Sequence, residues 1–165
     1  MALFPTPPFV ELTKLDYDFV IVDTQPGIPS SEPLRFYDEA LLVTLPDEAS
    51  CISAIKMLGQ YKEEKLKSSI VANRVAGKRY ELSIREIENL CENKVVSSLP
   101  EDEGVRISIA EHIPVYLKSR KSAFSVAIDQ LGSVYTSRSG VIRSPPQVGL
   151  KVWLISFLRT LFGMK

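Results

Sequence analysis

The chain has 165 residues, 45 % apolar and 24 % charged, and its 20 Lys and Arg balance its 20 Asp and Glu. That length is one domain by the usual prior and suffices for a sizeable core. The balance is uneven, however: from Ser133 to Lys165 there are five basic residues, Arg138, Arg143, Lys151, Arg159 and Lys165, and no acid. A basic tail on an acidic body points toward an anionic surface, membrane or nucleic acid. Cys51 and Cys91 stand far apart with no CxxC pair and no His beside them, so they read as reduced core residues rather than a disulfide or metal site. The start, Met1 to Pro8, lacks a basic region and is broken by prolines, so it is not expected to act as a secretory signal. No apolar run reaches the ~18 to 20 residues needed to cross a bilayer.

In chain order, Phe9 to Leu15 is too short and mixed to assign. Phe19-Val20-Ile21-Val22 is a near-continuous β-branched run, the pattern of a parallel strand covered on both faces, and it stops at Asp23. An acid closing such a strand ahead of Pro26-Gly27 would sit at the carboxyl edge of the sheet, where open α/β folds bind ligands. An ordinary strand ending in a turn reads the same from this segment alone. The loop Gln25 to Pro33 offers Ser30 and Ser31 as caps for a short helix toward Tyr37.

A second buried strand is expected at Ala40 to Leu45, followed by a helix through Ile52, Ile55, Met57, Leu58 and Tyr61. The third strand, Ser69 to Ala72, closes on Asn73-Arg74-Val75. Ser83 and Glu86 then form a capping box before Ile84, Ile87 and Leu90. The fourth strand, Lys94 to Leu99, ends at Pro100-Glu101-Asp102-Glu103. A short helix with Val105, Ile107 and Ile109 follows, a turn at Pro114, and a last helix over Ser125 to Leu131. Strands alternating with helices of this length indicate a doubly wound, mostly parallel α/β sheet with flanking helices, its polar strand ends gathered along one edge.

The order of motifs resembles the MinD/ParA group of P-loop ATPases, most of all its MinD branch. The matching pieces are Asp18 to Ile28, Ala40 to Ser50, Val71-Ala72-Asn73-Arg74-Val75, Leu99-Pro100-Glu101-Asp102-Glu103-Gly104-Val105, His112-Ile113-Pro114-Val115 and Lys121-Ser122-Ala123. The resemblance implies ATP or ADP and Mg2+ as ligands. By it, Asp23 holds the magnesium through water, and the loop with Gly27 responds to the γ-phosphate. Asn73, with Arg74 beside it, reads the adenine edge, and Pro100, Glu101 and Asp102 wrap the base. The residue types suit these roles: a carboxylate for a hard cation, an amide that both donates and accepts, a Gly for a switch. Gln25 departs from the small or Pro residue expected there.

The larger departure is that no Gly-x-x-x-x-Gly-Lys-Ser/Thr occurs in these 165 residues. Its strand would lie between Phe19–Asp23 and Leu41–Leu45, so the expected sheet lacks its middle. Three readings follow: the C-terminal portion of a longer ATPase, a chain completed by another chain, or a remnant independent of nucleotide. Because phosphoryl transfer rests on positioning and charge around the phosphates, the parts present are expected to hold adenine and magnesium rather than the triphosphate, without hydrolysis by this chain alone.

Residues 133–149, rich in Ser, Pro and Gly, read as a linker after a partial ATPase domain over 1–132. At 100° per residue, Leu150, Trp153, Leu154, Phe157, Leu158 and Leu161 share one broad face, Phe162 joins the candidate membrane contacts, and Arg159, Ser156 and Gly163 lie opposite. An aromatic-rich, acid-free segment of this length suits a helix lying in a membrane interface, and MinD proteins carry such a helix. The alternative is a C-terminal helix packed on the domain. His112 reads as a loop residue at a helix end. The expected protein is a cytoplasmic, MinD-like regulator of cell division or positioning. It is peripheral at the inner face of the cell membrane, forms a homodimer or pairs with a complementing chain, and meets a protein regulator but not nucleic acid. The other class is a membrane-associated adaptor of the same fold that binds a protein and no nucleotide.

Overall fold

In the structure, a computed structural model describing residues 17–24, 34 and 37–138, the order of elements follows the alternation in the sequence. Strand β1 is Glu39–Thr44, helix α1 Glu48–Glu63, strand β2 Lys67–Val75, helix α2 Ile84–Cys91 and strand β3 Val95–Pro100. Helices α3 (Glu103–Ala110), α4 (Val115–Lys118) and α5 (Ala123–Arg138) follow. The strands form one sheet in the order β1-β2-β3, parallel throughout, with Leu42 opposite Ile70, Val43 opposite Val71 and Val71 opposite Ser97.

Side-chain alternation along β2 builds two cores. Ile70 and Ala72 join Leu42 and pack under Cys51, Ala54, Leu58, Tyr61, Ile87 and Cys91 of α1 and α2. Val71 turns the other way, to Leu99, Val105, Val115, Phe124 and Ala127 of β3 and α3 to α5. Each long connection starts from a polar cap. Asp47 accepts from the Ser50 backbone N–H at 2.9 Å to open α1. Ser83 and Glu86 make the expected reciprocal box at α2, and Asp102 caps α3.

Four expectations change. The run Phe19–Asp23 forms no strand: residues 17–24 take no regular secondary structure and stand outside the sheet, and Ile21 is 69 % exposed. A strand apolar on both faces needs ladder partners and two covering layers, and the described residues provide neither beside it. The helix stripes also shift, because burial follows Cys51, Ala54, Leu58 and Tyr61, leaving Ile52 and Ile55 exposed; likewise α2 buries Ile87 and Cys91 and exposes Leu90. Helix α5 continues to Arg138, taking in the first residues of the stretch read as a linker, and the Tyr135 hydroxyl donates to Glu39 at 3.1 Å. Helix α4 is an added turn after Pro114. Gly27, the short helix expected from Ser30, and the tail residues Leu150, Trp153, Leu154, Phe157, Leu158, Leu161 and Phe162 lie outside the described residues.

Burial pushes the Cys51 thiol up to about 11, with Cys91 beside it adding to the shift, and burial raises Cys91 too. Both thiols should therefore resist a maleimide in the native protein and react once urea unfolds it; fast native labelling would show that the core between α1 and α2 is open. Ile87→Ala should lower stability by ~2–5 kcal/mol, read as a lower urea midpoint at unchanged slope.

Candidate functional site

In a parallel sheet all strands end on the same side, so the segments after β1, β2 and β3 meet at one edge. There the structure gathers Asn73, Arg74, Pro100, Glu101 and Asp102. Between Ala72 and Val75 the register to β3 slips: Ala72 stands opposite Ser98 and Val75 opposite Pro100. One extra residue is thus accommodated on β2, a bulge of the kind that re-aims side chains at sheet rims. Arg74 takes a left-handed backbone (φ 59°) inside this bulge, a conformation that costs a non-glycine residue of order ~1 kcal/mol and needs compensation.

The compensation is ionic. Arg74 Nε donates to Glu101 Oε2 at 2.7 Å and its Nη2 to Oε1 at 3.4 Å, a two-pronged pair across the β2 and β3 ends. Arg106, one turn into α3, donates to the same Oε1 at 3.0 Å. The Arg74 hydrogen bond, followed by the charges of Arg74 and Arg106, holds the Glu101 carboxyl below the usual range against a partial desolvation penalty. Next to it, Asp102 Oδ1 accepts the Gly104 N–H at 2.8 Å and Oδ2 faces the Phe124 N–H at 3.5 Å, so one carboxylate serves the starts of α3 and α5. A Cβ on Gly104 would lie 2.9 Å from Asp102 Oδ1 and 3.5 Å from Val115.

Asn73 is the unusual member. It is 3 % exposed, and among the described residues no hydrogen bond reaches its side-chain amide. Nor do the described residues contain a sealed-in side-chain nitrogen or oxygen without a partner, so the amide end of this buried residue opens to the surface. An amide so placed is free to hydrogen-bond water or a ligand at the surface. Beyond it, the Glu81 carboxylate accepts three successive backbone N–H groups, from Ala76 (3.0 Å), Gly77 (2.8 Å) and Lys78 (3.3 Å). Gly77 supplies the positive φ that such an anion-holding nest requires.

Asp23 is exposed and stands outside the sheet. Among the described residues no group of three His, Cys, Asp or Glu is arranged to hold a metal, and no helix is long and apolar enough to cross a membrane. His112 is exposed, just past α3, with a left-handed backbone typical of a helix end. Sequence reasoning missed Arg106 and Glu81, and it quoted Gly104 within the Leu99–Val105 motif without assigning it a role. The Glu101-to-Arg106 spacing was a weak cue, but a carboxylate folding back on its own loop leaves no residue pattern.

An uncharacterized ATP-binding protein of Methanocaldococcus jannaschii is 30 % identical over 156 residues, covering 90 % of this chain and 58 % of that protein. The septum site-determining protein MinD of Synechocystis is 25 % identical over 129 residues, covering 74 % of this chain and 48 % of that protein. Among solved structures, a chain of the MinC:MinD cell division protein complex of Aquifex aeolicus superposes with a TM-score of 0.69 at 20 % identity, covering 85 % of this chain and 58 % of that one. The homologues and structural neighbours of this chain are MinD/ParA-family P-loop ATPases. MinD of Pyrococcus horikoshii, solved with Mg-ADP, superposes with a TM-score of 0.59 at 20 % identity over 65 % of this chain and 44 % of its own. No family model matches the chain. It spans about half the length of the curated relatives it matches. The structural likeness extends the MinD fold to the three-stranded parallel sheet and its helices.

Glu101→Gln should remove a stabilising term that depends on pH. A carboxyl held low in the folded state lends stability above its unfolded value, ~4.3, and loses it as pH falls through the folded value. The substitution should cost ~0.2–1 kcal/mol at pH 7 and little at pH 2, in urea titrations at both; an equal loss at the two would refute the ion-pair account. Gly104→Ala should displace the Asp102 cap and cost about 1 kcal/mol, read as a lower Tm.

Proposed function

We propose that this chain is the base-recognising portion of a MinD-like ATP-binding protein. The observation carrying this is Asn73: a residue buried at the carboxyl edge whose amide makes no hydrogen bond among the described residues and opens to the surface, next in the chain to the Arg74–Glu101 bridge. An amide that donates and accepts side by side matches the Watson–Crick edge of adenine, which does the same. Pro100, Glu101 and Asp102 form the second wall, with Glu101 held in place by its two arginines. A pocket whose walls are tied before the ligand arrives loses less entropy on binding.

In this reading Asp23 supplies the carboxylate for Mg2+, which typically needs only one or two protein oxygens beside water and phosphate, and the loop with Gly27 follows it. The triphosphate contacts come from a segment or chain beyond these 165 residues. β1 suits such completion: it ends the described sheet, with β2 as its neighbour on one side alone, and Leu41 and Val43 are 43 % and 40 % exposed on the face away from α1, where a covering layer would lie. The whole assembly then acts as a regulator of division-site placement or cellular positioning, as a homodimer or with a complementing chain, and with a protein regulator. It resides in the cytoplasm and lies at the inner face of the membrane through the face carrying Trp153, Phe157 and their neighbours. One tail gives reversible attachment, and two on a dimer add by avidity.

Titration of the full chain with ADP, with and without Mg2+, should show saturable binding that falls ~3- to 10-fold in Asn73→Ala, one neutral hydrogen bond's worth, and loses its preference over GDP. Absence of saturable adenine-nucleotide binding would favour the adaptor reading, which draws on the missing phosphate-loop motif. For the tail, Trp153→Glu with Phe157→Glu should abolish co-sedimentation with anionic vesicles; a double variant that pellets like the parent refutes the interfacial helix.

A further inference from the structure

Among the described residues, the core beneath α1 and α2 leaves an apolar strip unused between the two helices. Between α1 and α2 lies an open groove lined by Ile52, Leu82 and Leu90, with Glu48, Glu86 and Asn89 along it. Ile52 is 52 % and Leu90 43 % exposed, because the helix faces that meet the sheet are set by Cys51, Ala54 and Leu58 on α1 and by Ile87 and Cys91 on α2. Aliphatic side chains lined up between carboxylates describe a complementary occupant: an apolar helical face with basic residues and no acids.

Such a segment exists in the same polypeptide. We propose that this groove is the resting place of residues 150–165, so that the tail lies against the body until a membrane competes for it. Leu150, Trp153, Leu154 and Phe157 supply the apolar face, Lys151 and Lys165 at its flank the charge that answers Glu48 and Glu86, and no acid occurs from Ser133 onward. The tether is long enough. Eleven residues separate Arg138, the end of α5, from Leu150, and at ~3.3–3.6 Å each they span ~36–40 Å, against a radius of gyration of ~13 Å for a body of about 100 residues. Docking in cis removes the aromatic face from water without lipid, and release then requires the vesicle surface to outbid the groove. This inference rests on the reading of the tail as an amphipathic helix.

Trp153 is the single tryptophan, so fluorescence of the full chain reports on the tail alone. In lipid-free buffer its emission should be blue-shifted and poorly quenched by acrylamide, independent of protein concentration. Ile52→Lys with Leu90→Lys, both exposed positions, should red-shift it, raise the quenching constant several-fold and tighten binding to phosphatidylglycerol vesicles several-fold. Ile113→Lys, at a position outside the groove and 48 % exposed, should change neither. The proposal is overturned by a solvent-like Trp153 in the parent chain, by a shielded Trp153 that the groove substitutions leave unmoved, or by shielding lost on dilution, which would make a second copy the occupant. A groove variant whose Trp153 is released yet which ignores vesicles would support the docking and sink membrane attachment, so the two readings fail separately.

Discussion

Strand β2 is the only described strand with a partner on both edges and a helical layer on both faces, and the remaining elements take their places from it. Its residues are apolar on both sides because Ile70 and Ala72 serve one core while Val71 serves the other. A strand so enclosed cannot slip by a single residue without exchanging its two faces. That fixes the heights of β1 and β3, and with them the level at which Asn73 and Glu101 leave the sheet. The carboxyl edge is assembled by the core rather than by the loops that line it.

Much of this was readable from residues alone. The runs at Ala40 to Leu45 and Ser69 to Ala72 are short and β-branched or aliphatic, and the Ser83/Glu86 pair announces a helix start whatever surrounds it; such signals are local. The stretch Phe19–Asp23 carries the same kind of signal and forms no strand, since a ladder is a property of two segments and pattern speaks only for one. The helix stripes failed for a related reason. Ile52 and Leu90 are more hydrophobic than Cys51 and Cys91, but close approach of helix to sheet selects the smaller side chain. Of the site, Asn73, Arg74 and the Pro100–Asp102 run came from motif order, whereas the second arginine on Glu101 and the close approach at Gly104 are facts of three-dimensional packing.

The edge also shows how strain and charge are balanced. The left-handed Arg74 backbone and the bulge beside it are unfavourable in isolation, and the Glu101 carboxylate fixes their position by drawing two guanidinium groups from different elements onto one anchor. The arrangement leaves both arginines partly in water, with side-chain exposures of 49 % and 58 %, so it positions the loops more than it stabilises the fold.

Glu81 has a consequence of another kind. By filling the ring of backbone donors at Ala76 to Lys78 with its own side chain, it renders the turn after β2 self-ligated. A polypeptide that furnishes the counter-ion for its one described nest has no vacancy there for an incoming anion, so the turn after β2 is closed by its own side chain rather than held ready for a ligand.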